Sequence, residues 1–223
     1  MSLTILAHIY NESYLLPWWL AHHTAIADHG IIFDYASTDD SVAICRALAP
    51  TWDIGPSRNH DFDAIEVDRE MMDAERQVDG WKIVLNVTEF LVGDVRAAMV
   101  GERQILRSRI MVDRDQHTPD PTRPLVEQYA DGYYDDMSRP GRLLHRQIHG
   151  NYPTGRHMHD RVTTDDCAVW WYGWAPWTPE TRARKLQIQT RIPPRDKEQR
   201  RGWHHCVDEA QLDAWYLANR GRL

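Results

Sequence analysis

The apolar and polar positions of the chain fall into short blocks whose period changes along its length. Leu3 to Ile9 is an apolar run with β-branched members and predicts a first strand. From Tyr14 to Ala27 the residues Leu15, Trp18, Trp19 and Ile26 recur at helical spacing. Pro17 suits the first turn of that helix, and Gly30 reads as its end. Ile31 to Tyr35 predicts a second strand, and Ser37-Thr38-Asp39-Asp40 offers caps for a helix to about Leu48. Val67 reads as closing a third short strand, followed by a helix from about Asp68 to Val78. Trp81 to Leu85 has the unbroken apolar pattern of a strand buried on both faces. Val95 to Val100 predicts a short helix, and Ile105 to Val112 one further strand.

The second half reads differently. Asp113 to Arg142 carries Pro119, Pro121, Pro124, Pro140 and several aspartates, the composition of a loop-rich insertion or flap. Arg142 to Ile148 and Ala168 to Tyr172 predict late strands. Pro179 to about Ile188 and Asp208 to Ala218 predict helices. Strand and helix alternate through the first half, which argues for an α/β sandwich with a mainly parallel central sheet. There is no internal repeat and no low-complexity segment.

Composition narrows the function classes. The chain has 223 residues, enough for a single domain, and 42% of them are hydrophobic. Its formal net charge is −7, so bulk charge is not built to coat nucleic acid. No apolar run approaches the ~18 residues of a membrane span. The N-terminus MSLTILAHIYNES lacks a basic stretch and a long apolar core, so no secretory signal is expected. Cys45, Cys167 and Cys206 are odd in number and far apart, which fits a reducing, cytoplasmic setting better than a disulfide framework. No HExxH pattern supports a histidine-based metal hydrolase among the 12 histidines.

Ligands of open α/β sheets bind beyond the carboxyl ends of the strands, so the polar residues after each strand are the first candidates. Asn11-Glu12 follows the first strand, Asp34-Tyr35-Ala36-Ser37-Thr38-Asp39 the second, and Asn86-Val87-Thr88-Glu89-Phe90 the Trp81 strand. Taken singly, the first two also read as ordinary helix starts. The run AVWWYGWAPW places Trp174 and Trp177 where they can stack on a sugar or pack a core.

Taken in order, AHIYNESYLLPWWLAHH, IIFDYASTDDS and WKIVLNVTEFLVGD resemble the family 2 type of glycosyltransferase. They are most similar to a bacterial branch with Asn-Glu, Asp-x-x-Ser-Thr-Asp and Asp-x-Asp-Glu-Phe motifs. The tail RARKLQIQTRIPPRDKEQRRGWHH is also similar to the end of such proteins, and residues from about 100 to 165 match little. The resemblance implies a GT-A-like, Rossmann-type fold in a single domain. Residues 1–95 would be the nucleotide-binding half, and residues 96–223 the acceptor side and tail. It implies transfer of a sugar, with inversion, from a nucleotide-diphosphate donor such as a UDP-sugar to a hydroxyl of a glycan, lipid-linked or small-molecule acceptor.

The same resemblance assigns roles. Asn11, Glu12, Asp34 and Asp39 would hold the nucleotide. The Asp-x-Asp element would hold Mn²⁺ or Mg²⁺ on the diphosphate, but Asn86 and Thr88 stand at its two aspartate positions and only Glu89 keeps its charge. Three readings follow. Glu89 holds the ion with help from water and phosphate. The diphosphate is neutralised by Arg182, Arg184, Lys185 or Arg191. Or the chain is a catalytically silent nucleotide-sugar-binding module. On the first reading, metal affinity without donor is expected to be poor. His157 and His204 are the candidates for a late metal or phosphate contact. Asp165-Asp166 is the first candidate for the catalytic base, with Asp135-Asp136 second.

Overall fold

The computed structural model describes residues 1–59, 62–202 and 205–223. Among the described residues, ten strands and eight α-helices run in the order β1 Leu3–Ile9, α1 Leu16–Thr24, β2 His29–Asp34, α2 Ser41–Leu48, β3 Asp53–Pro56, α3 Ala64–Glu75, β4 Trp81–Asn86, β5 Glu89–Gly93, α4 Val95–Ala98, β6 Arg103–Leu106, β7 Ser108–Val112, α5 Leu125–Gln128, β8 Gly132–Tyr134, β9 Arg142–His145, β10 Cys167–Trp174, α6 Pro179–Gln187, α7 Pro194–Glu198 and α8 Glu209–Arg220. No helix among the described residues is long and apolar enough to cross a membrane.

The main sheet has the order β3-β2-β1-β4-β9-β6. Its first four strands are parallel, β9 runs against β4, and β6 runs against β9. The fold class is therefore α/β with a mainly parallel central sheet, as the alternation of elements predicts. Both faces of β1 and β4 are covered, which is why their sequences are nearly continuous apolar runs. Trp19 and Leu20 of α1 and Cys45 of α2 pack on one face with Leu3, Ile5, Ile83 and Leu85. Met71 of α3 packs on the other with Leu6 and Val84. The chain moves outward from β1 to β3 with helices on one side, then returns past β1 to β4 with α3 on the other. Strand order thus reverses between β1 and β4, the position at which open α/β sheets leave a crevice for ligands.

A second sheet, β5-β10-β7-β8, stands beside the first. It mixes antiparallel pairs with the parallel pair β10–β7. Its far side is closed by α8, where Trp177 stacks on Tyr216 with ring centroids 4.6 Å apart.

Several sequence expectations change. Ile105 to Val112 is not one strand: β6 joins the main sheet and β7 the second, with the chain passing between sheets at Arg107. Val67 closes no strand but lies buried in α3. The third strand is instead β3, four residues with no buried position, at the sheet edge where Pro56 is tolerated. Gly30 does not end α1; it sits inside β2. An added Cβ there would lie 2.0 Å from the ring of Trp52, which is 7% exposed. Gly30 is kept for close approach of that indole to the strand. Gly30→Ala is expected to lower stability by about 1–3 kcal/mol, the usual cost of overpacking a filled site, measured by urea denaturation.

Candidate functional site

A cavity of about 660 Å³ opens over the carboxyl ends of β1 and β4, within the size range of small-molecule sites. His8, Tyr10 and Glu12 line it from β1 and the loop beyond, Tyr35 from the end of β2, and Asn86 and Thr88 from the end of β4. Arg139, Arg156 and His157 enter from the loops on either side of β9. Trp171 and Trp174 come from β10, and Arg184 and Lys185 from α6.

The floor is built on ion pairs. Arg142, 1% exposed, gives its Nε and Nη2 to Glu89 Oε1 at 3.0 and 2.6 Å. The other Glu89 oxygen accepts the Asn86 backbone N–H at 2.8 Å. Burial pushes the Glu89 carboxyl up, but Arg142, Arg139 and these hydrogen bonds outweigh it and hold it below its ordinary value. Arg156 gives Nη1 to Asp68 at 2.6 Å and Nη2 to Asn86 Oδ1 at 3.1 Å. Arg184 grips both oxygens of Glu12, with Nη2 at 2.6 Å from Oε1.

Two basic side chains in the cavity have no carboxylate within ion-pair distance among the described residues. The guanidinium of Arg139 lies 3.7 Å over Trp171 and its Nη1 is 3.1 Å from His157 Nε2. Burial pulls it down to about 9, so it stays charged at neutral pH. Lys185 Nζ lies 3.9 Å over Trp174, and burial, followed by Arg184 and Arg139, pulls its amine well below the ordinary lysine range. Cation–π contact supplies part of what a counter-ion would give.

Five buried side-chain atoms among the described residues have no hydrogen-bond partner: His8 Nδ1, Tyr35 Oη, His145 Nδ1, Arg156 Nε and His157 Nδ1. Four of the five belong to residues that line this cavity. Buried orphans are costly and rare, so their concentration here marks a place prepared for polar partners. Arg156 is also in the left-handed region, at φ 58, a conformation a non-glycine residue adopts only under constraint.

The residues singled out in the sequence separate into groups. Glu12, Asn86, Thr88, His157, Arg184, Lys185 and Trp174 line the cavity. Asn11, Asp34 and Asp39 are brought beside it but are spent on its frame. Asn11 Oδ1 accepts from Thr38 N–H, Asp34 from Ser37 N–H, and Asp39 from Ser41 and Ser13 N–H. Glu89 lies beneath the floor. Asp165 and Asp166 are exposed in the turn before β10 and do not line the cavity. Asp135 and Asp136 pair with Arg222 and Arg107 outside it. Arg182 faces Asp213, and Arg191 donates to the Tyr35 carbonyl and covers the Tyr10 ring. Trp177 is in the core with Tyr216. His204 lies outside the described residues. Sequence reading missed Arg139, Arg142, Arg156 and His8, which stand in no recognisable motif.

His8 Nε2 is 2.8 Å from Glu70 Oε2, and Glu70 also accepts from Ser57 Oγ and Arg58 N–H, each at 2.6 Å. Burial, the largest cause, lowers the imidazole to about 4. His8 is therefore neutral, donates Nε2–H to Glu70 and leaves Nδ1 as an acceptor. Between pH 6.5 and about 4 the unfolded chain binds a proton at this site that the folded chain refuses. The stability His8 secures is complete above pH 6.5 and falls on acidification, by about 3 kcal/mol in all. Melting curves at stepped pH are expected to show this loss, and His8→Gln, which keeps the donor to Glu70, to flatten it.

No family model matches the chain, and no curated protein matches it in sequence. Among solved structures it is similar to S. aureus TarS 1–349 in complex with UDP, with TM-score 0.44 and 12% identity over 66% of this chain and 47% of that one. It is also similar to glucosyl-3-phosphoglycerate synthase from Mycobacterium tuberculosis in complex with Mn²⁺, UDP and glucosyl-3-phosphoglycerate. There the TM-score is 0.36 and the identity 15%, over 49% of this chain and 44% of that one. The chain thus spans less than half the length of either.

Proposed function

We propose that the cavity binds a nucleoside-diphosphate sugar, a UDP-sugar by the resemblance of the strand-end motifs, and that the chain transfers the sugar to a hydroxyl acceptor. The observation that carries this reading is the gathering of unpartnered polar atoms and of basic side chains without carboxylate partners in one cavity at the β1–β4 switch point. Arg139 and Lys185 suit a polyphosphate. His8 Nδ1 and Tyr35 Oη suit the hydroxyl and N–H groups of a ribose or base. Trp171 and Trp174 give flat apolar walls of the kind that pack against sugar or base rings. In this reading the whole chain is one catalytic unit, with residues 1–95 supplying the nucleotide side and residues 96–223 the acceptor side.

A second reading, a binding module of the same fold without turnover, is favoured by the state of the carboxylates. Glu12 is the single acidic side chain lining the cavity among the described residues, and Arg184 holds both of its oxygens. An inverting transfer needs a group to take the acceptor proton.

Calorimetry with UDP, UDP-glucose and UDP-N-acetylglucosamine in the presence of Mn²⁺, together with an assay for UDP release, tests both. Binding with UDP release is expected, and Tyr35→Phe is expected to weaken binding by about fivefold, the value of one hydrogen bond. Binding with no release under any acceptor tried would leave the second reading. Absence of binding by all three would remove both.

A further inference from the structure

The loop after β4 is where the resemblance places a divalent cation, and the residues there do not fit one. An ion of that kind needs several oxygen lone pairs open to it. Glu89 Oε1 is taken by two nitrogens of Arg142 and Oε2 by the Asn86 N–H. Asn86 Oδ1 is taken by Arg156. Thr88 is 4% exposed, and its carbonyl accepts the Tyr172 N–H at 2.7 Å. Among the described residues no three His, Cys, Asp or Glu side chains gather to hold a metal. The guanidinium groups of Arg142 and Arg156 reach into this spot, and a dication would meet their positive charge.

The charges in the cavity point the other way. Arg142, Arg156 and Arg184 are each matched by a carboxylate: Glu89, Asp68 and Glu12. Arg139 and Lys185 are matched by none among the described residues. They lie on the faces of Trp171 and Trp174, which form a T-shaped pair with centroids 6.2 Å apart. The indoles cover one side of each cation and leave N–H groups directed elsewhere. Arg156 adds a buried Nε–H with no acceptor. The Arg139 charge, the Lys185 amine, whose charged form burial disfavours, and a spare guanidinium donor thus share one cavity without an anion, and a bound anion would compensate the first and favour protonation of the second.

On the reading that the cavity takes a nucleoside-diphosphate sugar, we infer that Arg139, Lys185 and the Arg156 Nε–H bind the diphosphate directly, in the place of a divalent cation. A guanidinium offers paired donors to phosphate oxygens and an ammonium offers a compact charge. Both stabilise negative charge on a departing diphosphate without an ion between.

The test is calorimetry of the full chain with UDP in excess EDTA and again with Mn²⁺, and with Mn²⁺ alone. The expected result is a Kd in EDTA within about threefold of that in Mn²⁺, less than the ~0.7 kcal/mol that would signal a lost ligand contact. Mn²⁺ alone is expected not to bind. Lys185→Met and Arg139→Gln, each checked for an unchanged melting temperature, are expected to weaken UDP in EDTA by about tenfold or more. UDP binding that appears only with Mn²⁺ would overturn this inference and leave the nucleotide-sugar reading standing. Unchanged affinity in both variants would overturn it as well. No UDP binding with or without Mn²⁺ would instead remove the nucleotide-sugar reading on which it rests. The wild-type comparison in EDTA needs no variant, so a misfolded substitution does not leave the question open.

Discussion

The buried pair of Glu89 and Arg142 joins the two sheets. Glu89 opens β5 in the second sheet, and Arg142 opens β9 in the main sheet. Around the pair the backbone is stitched as well: Trp19 Nε1 donates to the Glu89 carbonyl at 2.9 Å, and Arg142 Nη1 to the Gly155 carbonyl at 2.8 Å. A charge this deep is tolerable only with its partner, and losing one member strands the other at a cost of about 3–5 kcal/mol. The position of the second sheet, and with it the tryptophan wall of the cavity, depends on both being present.

Charge pairing then decides which groups remain for a ligand. Glu12, Glu89 and Asp68 are each committed to an arginine, Glu70 to His8, Ser57 and the Arg58 N–H, and the frame aspartates Asp34 and Asp39 to backbone N–H groups. What is left over is cationic or neutral: Arg139, Lys185, the orphan nitrogen of Arg156, and two imidazoles held neutral by burial. His157 is driven down by burial first and then by Arg142, Arg139 and Arg156, so it brings no charge of its own. The crevice of a parallel sheet supplies the location, and the basic groups left over are what the proposed anion would meet there.

Local pattern was a good guide where an apolar run or a capping residue marks the element. β1, β4, α6 and α8 lie within a few residues of their predicted spans because apolar runs and caps are local signals. It was a poor guide at β3, which has too little apolar content to stand out, and at Ile105 to Val112, where one apolar run serves two sheets. The handover at Arg107 depends on neighbours that lie far away in sequence, so no window centred on it contains the information.

The same division applies to the site. The sequence by itself determined the α/β class, the positions of the strand ends and therefore the rim, including Glu12, Asn86 and Thr88, because strand periodicity and the polar residues after each strand are written locally. It also showed that Glu89 is the single acidic residue from Asn86 to Phe90, with the neutral Asn86 and Thr88 beside it. Only the tertiary structure decided that Glu89 serves Arg142, that Asp34 and Asp39 serve their own loops, and that Arg139 and Arg156 reach the cavity. Ion pairing is a competition among groups brought together from across the chain. A carboxylate's partner, and so its availability, is set by three-dimensional distance and shared burial, which residue spacing does not encode.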